Sequence, residues 1–244
     1  MVGTIALTSG EIKIEGTATV NGPGANKLIV SGSNASRIFK IDSGAVVNIS
    51  GLKLADGTAS GDGGAIDNDG GQLTLRNCVL SANLASSDGG ALNNEGGDVA
   101  LINSTVSNNS AVNCGGLRNR YGVMTLTNST VADNTASGAA GGICSARNTS
   151  GAVLKGTLTV ENSTISGNTG PGGYGGGIRN NEGILTVVNS TLSGNSTGYP
   201  GGGGVYSYGS LATVKITNST LSGNASTGSV PDMDFIPKPQ IHIG

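Results

Sequence analysis

The sequence predicts an all-β chain wound as a parallel β-helix, a solenoid of about nine coils of about 26 residues each. Three observations predict it. First, one block recurs: NCVLSAN from Asn77, NSTVSNN from Asn103, NSTVADN from Asn128, NSTISGN from Asn162, and NSTLSGN from Asn189 and from Asn218. Successive starts lie 26, 25, 34, 27 and 29 residues apart, the spacing of units that bury an apolar face only against their neighbours. Second, stacked copies give apolar columns. Third, they give columns of asparagine.

The columns justify the elements in turn. Before each block stand Leu73, Val99, Met124, Leu158, Leu185 and Val214, then Leu75, Leu101, Leu126, Val160, Val187 and Ile216. Inside the block stand Leu80, Val106, Val131, Ile165, Leu192 and Leu221. Each glycine-rich segment ends in Ile66, Leu92, Leu117, Ile143, Ile178 or Val205. Alternation with polar residues is strand patterning. About three short strands per coil follow, each stacking on its counterpart one coil away. Val47, Ile49 and Leu54 extend the register one coil toward the N-terminus.

Asparagine tolerates left-handed turns, and its amide can bond a stacked copy of itself. Asn77, Asn103, Asn128, Asn162, Asn189 and Asn218 form one column. Asn83, Asn109, Asn134, Asn168, Asn195 and Asn224 form a second, and Asn68, Asn94, Asn119 and Asn180 most of a third, completed by Ser145 and Ser207. All three are expected to be ladders at corners. That role also accounts for the five Asn-Ser-Thr glycosylation sequons at Asn103, Asn128, Asn162, Asn189 and Asn218.

These residues carry a resemblance. The GGAI/GGGI and NSTxSGN motifs, and the opening GPGANKLIVSGSNASRIFKIDSGAVVNISGLKL, resemble right-handed parallel β-helix repeats of bacterial secreted and surface proteins. The broad group is the pectate-lyase-like superfamily; the narrower likeness is to repeats of polymorphic outer-membrane-type proteins. The resemblance implies a right-handed, single-chain β-helix and an extracellular or cell-surface location. It transfers no catalytic residue, because the fold serves both enzymes and inert stalks.

The repeat covers residues 1–226. Residues 227–244 are expected to be a non-repeat, Pro-rich tail that docks on a β-helix end or flank, in its own subunit or the next. Self-association through the ends or the tail is therefore one expected partnership. Strand patterning begins almost at Met1, so a signal peptide is not expected in this sequence. No apolar run reaches transmembrane length. The formal charge of −2 gives no case for nucleic acid. Aromatic residues make up 3% and Trp is absent, which counts against a sugar-stacking groove. On straight columns Cys114 and Cys144 stand too far apart to bridge, so Cys78, Cys114 and Cys144 are expected to be three free thiols.

Candidate chemistry gathers after the glycine pairs. Asp67, Asp69 and Glu95 are expected beside Arg118 and Arg120 on adjacent coils, the set that a polysaccharide lyase or a glycosidase pair would need. Asp62 and Asp88 form a stacked acidic pair able to share Ca²⁺. Arg179, Tyr206 and Tyr208 continue the same columns, and Arg147 and Lys155 sit on an insertion; all five are candidate contacts for a polysaccharide. A solvated turn with compensating structural ion pairs explains the charges better than catalysis does. An outward array of Thr105, Thr130, Thr164, Thr191 and Thr220, with Ser107, Ser166, Ser193 and Ser222, resembles an ice-binding face. The leading expectation is a non-catalytic extracellular stalk, adhesin or self-assembling element. A polysaccharide lyase or hydrolase is the alternative, and ice binding the third.

Overall fold

The computed structural model describes residues 3–146, 156–227, 232–236 and 240–243. The chain is a parallel β-solenoid of about eight turns. Three sheets run along it, each of nine strands. The first runs from Gly3–Ala6 to Thr220–Ser222, the second from Ile12–Ile14 to Met233–Ile236, and the third from Ala18–Asn21 to Gln240–Ile243. All named pairings are parallel, one coil to the next. The central coils add a fourth, six-stranded sheet between the first and second, from Thr58–Ala59 to Ser196–Thr197. The alanines at its centre, Ala59, Ala85, Ala111 and Ala136, gave no period-two signal of their own.

The apolar columns pair as the spacing predicts. Leu73, Val99, Met124, Leu158, Leu185 and Val214 stack in one file. Leu75, Leu101, Leu126, Val160 and Val187 stack beside it, all fully buried. With Ile66, Leu92, Leu117 and Ile143 from the second sheet and Leu80, Val106 and Val131 from the first, they make one continuous core. Each coil buries its inward face against the coils above and below, which is what stabilises a rod too thin for a globular core. Thr157–Glu161 resumes in register with Val123–Thr127, so the insertion after Ala146 leaves the stack undisturbed.

The corners divide the asparagines into two kinds. Asn77, Asn103, Asn128, Asn162, Asn189 and Asn218 all have φ near +50° and are exposed. Here the expected ladder is corrected: these residues supply the left-handed turn, as Gly51 does one coil earlier with φ of 61°. The ladder at this corner belongs to the neighbouring serine. Ser104 N–H donates to Ser129 Oγ at 3.1 Å, Ser129 N–H to Ser163 Oγ at 3.0 Å, and Ser163 N–H to Ser190 Oγ at 3.1 Å.

The second asparagine column is a ladder. Asn83, Asn109, Asn134, Asn168 and Asn195 are buried, and each donates its Nδ2 to the Oδ1 of the next at 2.8–2.9 Å. The last rung is Asn224, whose Nδ2 bonds Asp232 Oδ1 at 3.0 Å. The third column begins the same way, Asn68 to Asn94 to Asn119, at 2.7 and 2.8 Å. It breaks at Ser145, whose shorter side chain leaves its hydroxyl buried without a partner, and resumes with Asn180 donating to Ser207 Oγ at 3.1 Å.

Beyond the last block the stacking goes on. Met233–Ile236 pairs with Val205–Tyr208, and Gln240–Ile243 pairs with Thr213–Ile216. Met233 and Phe235 pack against the end of the core. The tail's described strands thus lie on their own subunit's final full coil.

Cys114 and Cys144 form a disulfide, with Cα atoms 5.4 Å apart, and only Cys78 is free and buried. The expectation of three free thiols is overturned by a corner. Cys114 has φ of 49°, so the chain turns there, between Ser110–Asn113 and Leu117–Arg120. A distance measured along a straight strand does not apply across that turn. It swings Cys114 against the outer face of Ile143–Ala146, and the two cysteines form a small cluster with Ala139 and Ala140.

Candidate functional site

The second sheet carries the candidate residues on its outer face. One file reads Lys40, Asp67, Asn93, Arg118, Cys144, Arg179, Tyr206 and Asp234. A parallel file reads Asp69, Glu95, Arg120, Ala146, Asn181 and Tyr208. Alternation along each strand turns both files away from the core, and stacking sets neighbours about 4.8 Å apart. The structure therefore brings Asp67, Asp69, Glu95, Arg118 and Arg120 onto one surface. It does not bring them together as one cluster.

Asp67, Asp69, Glu95, Arg118 and Arg120 each have an ionic partner. Arg118 Nη1 bonds Asp62 Oδ2 at 2.8 Å and Asp88 Oδ2 at 2.9 Å. Asp62 and Asp88 are the pair read as cation ligands, and the guanidinium stands between them where a cation would have to sit. Among the described residues no group of three or more His, Cys, Asp or Glu is placed to hold a metal. Burial pushes the Asp88 carboxyl above its ordinary value, against the pull of Arg118, and the charge of Asp62 adds to the rise.

Asp67 is held from the other side. Lys40 Nζ reaches Asp67 Oδ2 at 2.7 Å and Asp69 Oδ2 at 3.5 Å, and Asn93 Nδ2 donates to Asp67 Oδ1 at 2.8 Å. Burial works to lower the Lys40 pKa, but its hydrogen bond to Asp67 and the charges of Asp67 and Asp69 outweigh it, so the ammonium is held above its usual range. Arg37, ion-paired with Glu11, also caps the Gly63 and Asp62 carbonyls, each at 2.9 Å. Glu95 takes Arg120 Nη1 at 3.1 Å and the Tyr121 hydroxyl at 2.7 Å. The Arg120 guanidinium lies 5.5 Å from the centre of the Tyr121 ring. Burial, then the bond to Glu95, raises the Tyr121 pKa.

Farther along, the sheet turns aromatic. Tyr206 is buried under Tyr174, ring centres 4.7 Å apart and nearly parallel, and Tyr174 also meets Tyr199 at 5.4 Å. Tyr208 is exposed. Burial and the neighbouring Tyr174 raise the Tyr206 pKa. Tyr174 and Tyr199 were missed as part of this site, although the sequence signal exists: four of the five tyrosines fall between Tyr174 and Tyr208. Arg147 and Lys155 lie outside the described residues.

One depression adjoins these files and a second lies away from them. The first, of about 220 Å³, is lined by Asp88, Asn113, Arg118, Arg179, Asn181 and the disulfide. The other, of about 970 Å³, runs along the fourth sheet, with Ala59, Ala85 and Ala111 as its floor and the exposed Leu84 and Val112 on its walls. On the first sheet, Thr105, Thr130, Thr164, Thr191 and Thr220 stack in register, and Ala132 interrupts the serine file beside them.

No family model matches the chain, and neither the curated proteins nor the solved structures contain a match.

Proposed function

We propose that this chain is a non-catalytic extracellular repeat rod, acting as a surface stalk, an adhesin module or a self-assembling element. The observation that carries the reading is the pairing of the charged groups. A lyase or glycosidase needs a base or an acid–base pair left open to substrate. Here Arg118 is engaged by Asp62 and Asp88, Asp67 by Lys40, and Glu95 by Arg120 and Tyr121.

The extracellular part of the reading rests on two supports. The disulfide suits an oxidising compartment. The GGAI/GGGI and NSTxSGN motifs favour kinship with right-handed β-helix repeats of secreted and surface proteins, the pectate-lyase-like group and its outer-membrane-type repeats. Among the described residues no helix is long and apolar enough to cross a membrane.

The test is an activity panel of acidic polysaccharides with added Ca²⁺. The expected result is no turnover above blank. Turnover abolished in Asp69→Ala or Arg118→Ala would replace the reading with the enzymatic alternative.

A further inference from the structure

We infer that the cleft between Arg118 and Arg179, over the Cys114–Cys144 disulfide, is a binding site for a small oxyanion, the carboxylate or sulfate group of a ligand. The inference stands apart from the rod's proposed role, since holding an anion requires no catalysis.

Two arginines line this cleft, and they differ in one respect. Arg118 is neutralised by Asp62 and Asp88 at 2.8 and 2.9 Å. Arg179 has no ion pair with any described residue, and its Nε is buried without a hydrogen-bond partner. A guanidinium cannot shed its proton near neutral pH, so it cannot escape the cost of that position by becoming neutral. A buried donor left unmade is destabilising, and no described residue supplies the acceptor this one lacks; an anion in the cleft would supply it.

The surroundings favour an anion over a second cation. Along its file Arg179 lies between Cys144 and Tyr206, neither of them acidic, and Asp234 stands a further rung away; Asp88, the carboxylate that lines the cleft, is engaged by Arg118 at 2.9 Å. Asn181, two residues on in the same strand, also lines the cleft and offers an amide donor. The volume of about 220 Å³ admits one carboxylate or sulfate with a water or two, and not a large ligand whole. The fork of a guanidinium matches two oxygens of such a group. The disulfide fixes the floor between the two arginines, because Cys144 stands between them in the file and is tied to the corner at Cys114.

The experiment follows the Arg179 Nε–H resonance and the Asn181 side-chain amide by ¹⁵N NMR on the full chain. Sodium acetate, sodium sulfate and sodium glucuronate are titrated at constant ionic strength against chloride. The expected result is a saturable shift of both signals, half complete below about 10 mM. Arg179→Gln should remove the saturable shift at Asn181, and Arg179→Lys, which keeps the charge but loses the fork, should weaken binding about fivefold or more. Reduction of the disulfide should weaken it as well. Glucuronate binding about tenfold tighter than acetate would place the anion on a sugar; equal affinities would place it among free ions; both support the site. The inference is overturned if neither signal saturates with any of the three salts. It is equally overturned if the Asn181 shift survives in Arg179→Gln with the rest of the spectrum unchanged.

Discussion

Asn128 and Asn134 lie six positions apart on one coil and do opposite jobs. Asn128 is exposed and turns the corner with φ of 50°. Asn134 is fully buried; it donates to Asn168 Oδ1 at 2.9 Å and Val106 O at 3.0 Å, and accepts from Asn109 N–H at 3.0 Å. Asn134→Ala should therefore cost about 2–3 kcal/mol, since it strands buried groups on two coils. Asn128→Ala should cost about 1 kcal/mol, the strain of a Cβ in left-handed backbone, and Asn128→Gly close to nothing. Urea unfolding of the three variants checks the order; equal costs for the two alanine variants would be inconsistent with it.

Leu126 stacks between Leu101 and Val160 with no exposed surface. Leu126→Ala should cost about 2–5 kcal/mol, because the coils above and below cannot close on the gap without breaking register. The same unfolding measurement applies, with a loss below 1 kcal/mol as the contrary result.

Cys114 and Cys144 close a loop with a sequence separation of 30. Reduction, or Cys114→Ser with Cys144→Ser, should lower stability by about 3 kcal/mol. Thiol titration in denaturant without reductant should find a single reactive group, Cys78, against three after reduction. Three thiols before reduction would show that the bridge does not form.

Asp88 should leave a mark on the pH dependence. Its folded-state pKa is raised above the ordinary 3.8, chiefly by burial. The folded state therefore takes up this proton at higher pH than the unfolded state does. The cost of the buried charge is present above the folded pKa and relieved as pH falls through it. Compared with Asp88→Asn, the wild-type chain should thus gain stability as pH is lowered from 7 toward 3. Parallel denaturant curves at four pH values measure this, and a difference that stays flat or moves the other way counts against it.

Removal of residues 229–244 should uncover the final full coil, which Met233–Ile236 and Gln240–Ile243 now cover. Light scattering should then show a truncated chain that associates, through strand edges freed for another copy. A truncated chain that stays monomeric with unchanged stability would show that the strands contribute nothing.

Much of this was legible in the residues. The apolar columns were read in register from Val47 to Val214, because a period-two pattern repeated six times leaves one alignment that keeps every large side chain inside. What could not be read was anything that depends on a corner. Side-by-side Asn128 and Ser129 look alike as ladder candidates until φ places one outside and the other inside. The bridge from Cys114 to Cys144 was hidden by the same kind of turn. In the candidate site the columns put Asp67 and Arg118 in one file correctly, yet Arg118 pairs with Asp62 and Asp88, which approach from the turn before the glycines. Long side chains choose partners by reach, which a column of letters does not encode.

The buried amides of Asn83, Asn109, Asn134, Asn168 and Asn195 all point the same way, each giving toward the C-terminal neighbour and receiving from the N-terminal one. Such a row behaves like couplings on a train, every unit presenting the same hook in front and the same eye behind. A tandem duplication of one coil, cut anywhere within that row, would meet its new neighbours with matching fittings on both faces. Length can thus change by whole coils through recombination alone, without compensating point substitutions.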